Sequence, residues 1–171
     1  SDRDWSSDVC SSDLGTFSMD LILWRHAEAE VLAPGGSDSE RTLTKRGQRH
    51  AARMAQWLDA HLPDTIRVLS SPALRCTQTA DALGRNYKLR DELALNAKVN
   101  EILSLLKWPT QQRPVLLVGH EPWIGKLVSA LLGSETCNVA VSKGSVIWMR
   151  STSSELTCET RILVVQSPKL L

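Results

Sequence analysis

The sequence lacks any apolar run long enough to cross a membrane, and it lacks an excess of one charge. Its longest apolar stretches, at 115–118 and 127–132, fall far short of the ~20 residues that a bilayer-spanning helix needs. Charged residues make up 23% of the chain and the formal net charge is +1. This balance provides no electrostatic footprint for nucleic acid or an anionic membrane, so any basic site must be local.

Cysteine is scarce and scattered. The four cysteines, Cys10, Cys76, Cys137 and Cys158, form no close pair, which argues against zinc-ligand spacing and against a dense disulfide framework. Reduced thiols in a cytoplasm are the simplest interpretation, so we expect a cytoplasmic protein. No metal and no other cofactor is expected.

Residues 1–18 are poor in aliphatic residues, lack periodicity and are rich in Ser and Asp. The segment has neither the basic start nor the continuous apolar centre of a secretory signal. We therefore expect a non-native or disordered extension, with natural translation beginning at Met19. Residues 19–171 are expected to form a single domain, because a chain of this size fits one core.

From Asp20 onward, short apolar runs alternate with longer amphipathic stretches, a pattern that predicts strands separated by helices and a mainly parallel sheet. The fold class expected is α/β, a three-layer αβα sandwich with helices on both faces of the sheet. Predicted strands cover 21–24, 66–70 and 114–118, followed by a terminal pair at 145–150 and 160–165 with its turn at 151–154. Predicted helices cover 45–61 with Thr44 as N-cap, 73–83, 96–107 and 122–132, whereas 88–93 is left unassigned and 33–40 is expected to be a loop.

Chemically capable side chains follow three of the predicted strands. Arg25 and His26 follow the first, Arg75 lies shortly after the second, and His120 follows the third. Each alone has an ordinary explanation: a solvated pair, an exposed helical charge, or an imidazole that caps a helix. Because the carboxyl ends of strands in an open parallel sheet are where ligands bind, their joint position favours one shared site.

These residue types suit phosphoryl transfer. Guanidinium groups are permanently charged forks that match phosphate oxygens, and a neutral imidazole is a nucleophile that can accept a phosphoryl group. We therefore expect His26 to attack phosphorus, Arg25 and Arg75 to hold the equatorial oxygens, and His120, if protonated, to add a donor. Water would then hydrolyse the phospho-His26 intermediate.

Three ordered motifs carry a family resemblance: Leu-Trp-Arg-His-Ala-Glu-Ala, Ser-Pro-Ala-Leu-Arg-Cys-Thr-Gln-Thr-Ala and Val-Gly-His-Glu-Pro. Over about residues 19–165 the chain resembles the histidine phosphatase superfamily, whose fold is phosphoglycerate mutase-like. The segment 41–47 and the short length are similar to the bacterial phosphohistidine phosphatases of the SixA type. The resemblance implies that His26 is the nucleophile, that Arg25 and Arg75 bind phosphate, and that His120 is the second histidine of the pocket.

The chain departs from the superfamily pattern at two points. Ala27 stands where the family tripeptide Arg-His-Gly has glycine, which adds a methyl group. The carboxylic acid that protonates an alkoxide leaving group in many relatives is not matched, and Glu92 and Glu101, the candidates by order, are expected to be solvated charges. A missing acid suits a phosphohistidine substrate, because an imidazole departs more readily than an alkoxide.

The expected activity is therefore that of a cytoplasmic phosphohistidine phosphatase in signal transduction, acting as a monomer on a phosphorylated protein. The resemblance makes phosphorelay and phosphotransferase-system proteins candidate partners, and the lack of a long insertion between the second and third motifs predicts an uncapped pocket. Arg41 is a further candidate for substrate binding at the pocket rim, and Glu28 and Glu30 are expected to line its mouth or face water. Two alternatives stay open: a small-molecule phosphomonoesterase of the same superfamily, and a noncatalytic module that binds phosphate or phosphoprotein.

Overall fold

The computed structural model describes residues 16–134, 138–154 and 157–171. The strands in these residues are β1 (Phe17–Arg25), β2 (Arg67–Ser70), β3 (Tyr87–Leu89), β4 (Val115–Gly119), β5 (Val146–Ser153) and β6 (Cys158–Gln166). The helices are α1 (Lys45–His61), α2 (Leu74–Asp81), α3 (Val99–Leu106) and α4 (Trp123–Leu131), with short 3-10 helices at Asp38–Glu40, Asp91–Leu93 and Pro168–Leu170. No helix within these ranges is both long and apolar enough to cross a membrane.

The strands form one sheet in the order β3-β2-β4-β1-β5-β6. The four strands from β3 to β1 run parallel, whereas β5 and β6 are antiparallel to their neighbours. Arg25 pairs with Gly119, and Ser70 pairs with Val118. The carboxyl ends of β1, β2 and β4 therefore meet at one edge of the sheet, as the mainly parallel prediction requires.

Helices cover both faces of the sheet. Strand β1 alternates between the two cores: Leu21 and Leu23 pack in one apolar cluster with α3 and α4, while Ile22 and Trp24 pack in another with α1 and α2. This alternation follows from the period of two along a strand, and a sheet covered on both sides buries both sets. The α/β class and the three-layer αβα architecture are confirmed.

Helix α1 has the bounds that the sequence predicts, 45–61. Thr44 is its N-cap, since its hydroxyl oxygen accepts a hydrogen bond from the backbone N–H of Gly47 at 2.9 Å. The other three helices are shorter than predicted, and the unassigned segment 88–93 contains the end of β3 and a 3-10 helix. Periodicity locates a helix better than it locates the ends, which depend on local hydrogen bonding.

The turn predicted at 151–154 is wrong. Ser151, Thr152 and Ser153 belong to β5 and pair with residues 158–160 of β6. The hydroxyl of Ser151 also hydrogen-bonds that of Thr160. Polar Ser and Thr residues resemble a turn in sequence, but they pair well across strands when a neighbouring strand offers the partner.

Strand β1 begins at Phe17, which pairs with Ser153. Regular structure therefore starts two residues before Met19, within the segment expected to be an extension. Cys10, Cys137 and residues 1–15 lie outside the described residues, so the nature of the extension and the single-domain boundary stay predictions.

Candidate active site

Two histidine side chains meet where β1 and β4 end. The backbone of His26 is fixed on both sides, because its N–H donates to Gly119 O at 3.0 Å and its carbonyl accepts from Gly144 N at 3.0 Å. The ring centroids of His26 and His120 are 5.3 Å apart with an interplanar angle of 61°. Neither ring is a surface group, since His26 is 6% exposed and His120 is 0% exposed.

The tautomer of His26 is set by a carbonyl. Its Nδ1 lies 2.7 Å from Ala27 O, and because a carbonyl only accepts, Nδ1 must carry the proton. Burial lowers the pKa of His26 to about 4; the charges of Arg75, Arg25 and Lys143 add to this, whereas the Ala27 contact opposes it. His26 is therefore neutral near pH 7, with an unprotonated Nε2 available as a nucleophile.

His120 is held by Ser71, whose hydroxyl lies 2.7 Å from Nε2. Burial, together with the neighbouring His26 and Arg75, lowers the pKa of His120 to about 3, and the charge of Asp38 opposes this shift. The ring is therefore neutral by itself, and a phosphate dianion between the two histidines would raise its pKa towards the protonated donor form. The Cys76 thiol lies 3.4 Å from the same nitrogen, and burial raises its pKa to about 12, so it packs against the ring as a neutral thiol.

Arg75 projects from the first turn of α2 and is 2% exposed, so it is not the solvated helical charge that its position alone suggests. Its Nη1 donates to Asp38 O at 2.8 Å, and its Nη2 donates to the Asp38 carboxylate at 2.9 Å. Its Nε is buried and makes no hydrogen bond within the described part of the chain. Asp38 therefore binds both terminal nitrogens of the guanidinium, whereas Nε has no hydrogen-bond partner among the described residues.

Arg25 has a similar arrangement with different partners. Its Nη1 donates to Val141 O at 2.6 Å, while its Nε is buried and has no partner among the described residues. The backbone N–H of Val141 in turn donates to the Glu121 carboxylate at 3.2 Å. Burial lowers the pKa of Arg25 and the charge of Glu121 opposes that shift, so the guanidinium stays charged.

Arg41 contacts neither histidine directly. Its Nε donates to Glu30 O at 2.7 Å and its Nη1 donates to the Asp38 carboxylate at 3.1 Å. Glu28 is bound by Thr44 and Arg46, away from the histidine rings.

The sequence-based candidates for a proton donor lie elsewhere. Glu92 pairs with Arg90 at 2.7 Å, and Glu101 lies 3.9 Å from Lys98 on the exposed side of α3. Both line a surface cavity that contains none of the four candidate site residues. Across 16–134, 138–154 and 157–171, no group of three or more His, Cys, Asp or Glu side chains is arranged to hold a metal ion.

Ala27 fits its position without strain. Its N–H donates to the Thr79 hydroxyl at 3.1 Å, and its buried methyl group packs with Leu43 and Ala51. Lys107 is the one non-glycine residue with a positive φ in the part of the chain that the structure describes. The conformational freedom of the family glycine is therefore not used here.

Sequence reasoning missed Asp38, which holds Arg75, and Val141, which holds Arg25 and is itself bound by Glu121. It also assigned no role to Ser71. Asp38 lies 37 residues before Arg75, and Val141 lies 116 residues after Arg25. No periodic pattern marks such contacts. The glutamate beside His120 in the third motif was the one available signal, since a charged residue next to a buried histidine needs a partner.

The chain is similar in sequence to a known family and to proteins of that family. Residues 21–103 match the model of the histidine phosphatase superfamily (branch 1). The chain is 31% identical over 131 residues to the phosphohistidine phosphatase SixA homolog of Haemophilus influenzae, covering 67% of this chain and 78% of that protein. It is 32% identical over 126 residues to phosphohistidine phosphatase SixA of Escherichia coli, covering 69% and 77%.

A solved structure gives the same fold. The protein histidine phosphatase SixA in complex with tungstate matches with a TM-score of 0.74 and 28% identity, over 89% of this chain and 99% of that one. The structural similarity thus covers most of the chain. Together with the two relatives above 30% identity, it establishes that the chain belongs to the histidine phosphatase superfamily.

Proposed function

We propose that this protein is a phosphohistidine phosphatase in which Nε2 of His26 accepts the phosphoryl group. The observation that carries the proposal is a neutral, oriented imidazole near the charges of Arg25 and Arg75, each of which has a buried Nε without a partner among the described residues. A buried donor without a partner costs about 1–3 kcal/mol, and more when it is charged. A tetrahedral dianion beside Nε2 would satisfy both donors at once.

In the first step, Nε2 of His26 attacks phosphorus in line, the new N–P bond forms, and the N–P bond to the substrate imidazole breaks. Solvent protonates the other nitrogen of the substrate ring, so that the ring leaves as neutral imidazole. The Ala27 carbonyl stabilises the positive charge that develops on the ring through Nδ1–H. Arg25 and Arg75 neutralise the equatorial oxygens. In the second step, water attacks the phosphorus of phospho-His26 and the N–P bond breaks. His26 is released as a neutral ring that keeps its Nδ1 proton, phosphate departs, and the proton of the attacking water passes to solvent.

The carboxylates near the site favour a leaving group that needs no strong acid. Burial raises the pKa of Asp38, but hydrogen bonds from Arg41 and Arg75 outweigh it and hold the pKa below its usual value. Burial raises the pKa of Glu121, although its carboxyl group accepts hydrogen bonds from the backbone of Val141 and Gly125 and lies near the charge of Arg25. We assign the role of proton donor to neither residue, because Asp38 stays ionised and the Glu121 carboxyl is bound to the backbone. A phosphohistidine releases an imidazole, which departs more readily than an alkoxide.

The names of the relatives from Haemophilus influenzae and Escherichia coli support the same substrate class. We extend the proposal to a metal-independent reaction on a phosphorylated protein, such as a phosphorelay or phosphotransferase-system protein, by a cytoplasmic monomer. Adding a chelator should leave phosphate release unchanged, and loss of activity that a divalent metal restores would refute this extension.

The proposal is tested by phosphate release from a phosphohistidine-bearing protein, with p-nitrophenyl phosphate run alongside. His26→Ala should lower the rate at least about a thousandfold, because it removes the nucleophile. His61→Ala is the matched control, since His61 is exposed and stacks on Trp57 at the far end of α1. Melting temperatures of both variants verify folding.

Two results would count against the proposal. Phosphate release that survives in His26→Ala would rule out the phospho-His26 intermediate. Faster turnover of the aryl phosphate than of phosphohistidine would favour the phosphomonoesterase alternative.

A further inference from the structure

Asp38 hydrogen-bonds the guanidinium of Arg75, although it lies 37 residues earlier in the sequence. The backbone carbonyl of Asp38 accepts from Nη1 at 2.8 Å, and its carboxylate accepts from Nη2 at 2.9 Å. The Arg75 side chain is 3% exposed, so its guanidinium is shielded from water, whereas the Asp38 side chain is 42% exposed. Two acceptors on one planar fork fix both its position and its rotation.

A second arginine holds the same carboxylate. Oδ1 of Asp38 accepts from Nη1 of Arg41 at 3.1 Å, and Nε of Arg41 donates to Glu30 O at 2.7 Å. The contacts therefore run in series from Glu30 through Arg41 and Asp38 to Arg75. They tie the loop between β1 and α1 to the first turn of α2.

The negative charge of Asp38, taken by itself, weakens the binding of phosphate at this site. A carboxylate beside Arg75 cancels part of the positive charge that a phosphate dianion requires, and like charges close together repel. Asp38 nevertheless binds both terminal nitrogens of the Arg75 guanidinium, Nη1 through its backbone carbonyl and Nη2 through its carboxylate. The contribution of Asp38 to the site is therefore the orientation that it gives to the Arg75 guanidinium.

We propose that Asp38 is a positioning residue that orients Arg75 so that its free Nε faces the phosphate, and that Arg41 acts through Asp38 and not on the phosphate. This inference rests on the proposed function, because it assumes that the pocket binds a phosphoryl group. It replaces the expectation that Arg41 contacts substrate at the rim. It also adds to the site a residue that the motifs do not contain.

The test compares Asp38→Asn with Asp38→Ala, using calorimetric binding of inorganic phosphate. Both variants remove the charge, but Asn retains an acceptor oxygen near Arg75 and Ala does not. We expect Asp38→Ala to bind phosphate about fivefold more weakly than Asp38→Asn, a coupling typical of residues in direct contact. Repeating the pair in an Arg75→Lys background, which keeps the charge without the fork, should reduce the difference to within about twofold.

A matched control is Asp59→Ala. Asp59 forms an ion pair of the same length with Arg85, 2.9 Å, on the outer side of α1. Its loss should leave phosphate affinity unchanged, and melting temperatures should show that all variants fold. The Arg41→Ala substitution should weaken phosphate binding when it is made in the wild-type protein, but not when it is made in the Asp38→Ala variant.

Equal affinities of Asp38→Asn and Asp38→Ala would overturn the proposal, since only charge would then matter. A difference that persists in the Arg75→Lys background would overturn it as well, because Asp38 would act through another group. If the unsubstituted protein binds no phosphate, both this inference and the proposed function fail. If the coupling is found but phosphohistidine is not hydrolysed, the role of Asp38 stands and the proposed substrate does not.

Discussion

The imidazole of His26 owes its charge state to burial and its orientation to a single carbonyl oxygen. Neither depends on the identity of residue 27, because Ala27 contributes its backbone carbonyl and a methyl group that packs beside Leu43 and Ala51. Residue 27 therefore acts on this site through the main chain. Its side chain affects stability and not chemistry.

Ala27→Gly should retain phosphate release within about twofold of the wild type while lowering stability by about 1 kcal/mol, through lost burial and greater freedom of the unfolded chain. Urea denaturation and the phosphohistidine assay measure the two effects. A large fall in activity with unchanged stability would mean that the methyl group shapes the pocket directly.

The turn from β4 into α4 depends on close approach between two elements. A Cβ at Gly119 would lie 1.9 Å from Cζ2 of Trp123, the first residue of α4. The indole therefore packs directly under the end of β4, and His120 follows at once. This packing fixes where the second histidine stands relative to His26.

Gly119→Ala should destabilise the fold by about 2 kcal/mol or more, because the methyl group forces the indole aside. It should also weaken phosphate binding, since His120 shifts with the turn. Gly84→Ala is a suitable control: Gly84 has φ +69° at the end of α2 with open space around it, so only backbone strain is added. Unchanged phosphate affinity in Gly119→Ala would show that the turn does not position His120.

Folding of the whole molecule removes two imidazoles from water, and this couples stability to pH. The folded pKa values, about 4 for His26 and about 3 for His120, lie below the unperturbed value of about 6.5. Below pH 6.5 the unfolded chain binds protons that the folded chain does not. The corresponding stability is complete above pH 6.5 and is lost as the pH falls towards 4.

Between pH 7.5 and pH 5, in phosphate-free buffer, we expect the free energy of unfolding to fall by about 2 kcal/mol per buried histidine. Urea denaturation at the two pH values measures this change, and His26→Gln should lose about half of it. An identical pH dependence in His26→Gln would mean that the ring titrates normally in the folded protein.

Much of the scaffold follows from local pattern. The period of two in β1, the amphipathic repeat of α1 and the Thr44 cap are each contained in a few neighbouring residues, so the sequence predicts them directly. The meeting of His26 with His120 also follows, because parallel strands place their carboxyl ends at one edge. Helix ends and the length of the β5-β6 hairpin were predicted less well, since partners elsewhere in the chain decide them.

By itself, the sequence determined the α/β class, the superfamily and the side chains most suited to phosphoryl transfer, because strand ends and short motifs are local features. Only the tertiary structure decided that Asp38 fastens Arg75 and that Val141, backed by Glu121, fastens Arg25. It also decided that both histidines are neutral, since burial sets their pKa values. A guanidinium can pair with any acceptor that the fold brings near, and burial is a property of packing that no short stretch of sequence encodes.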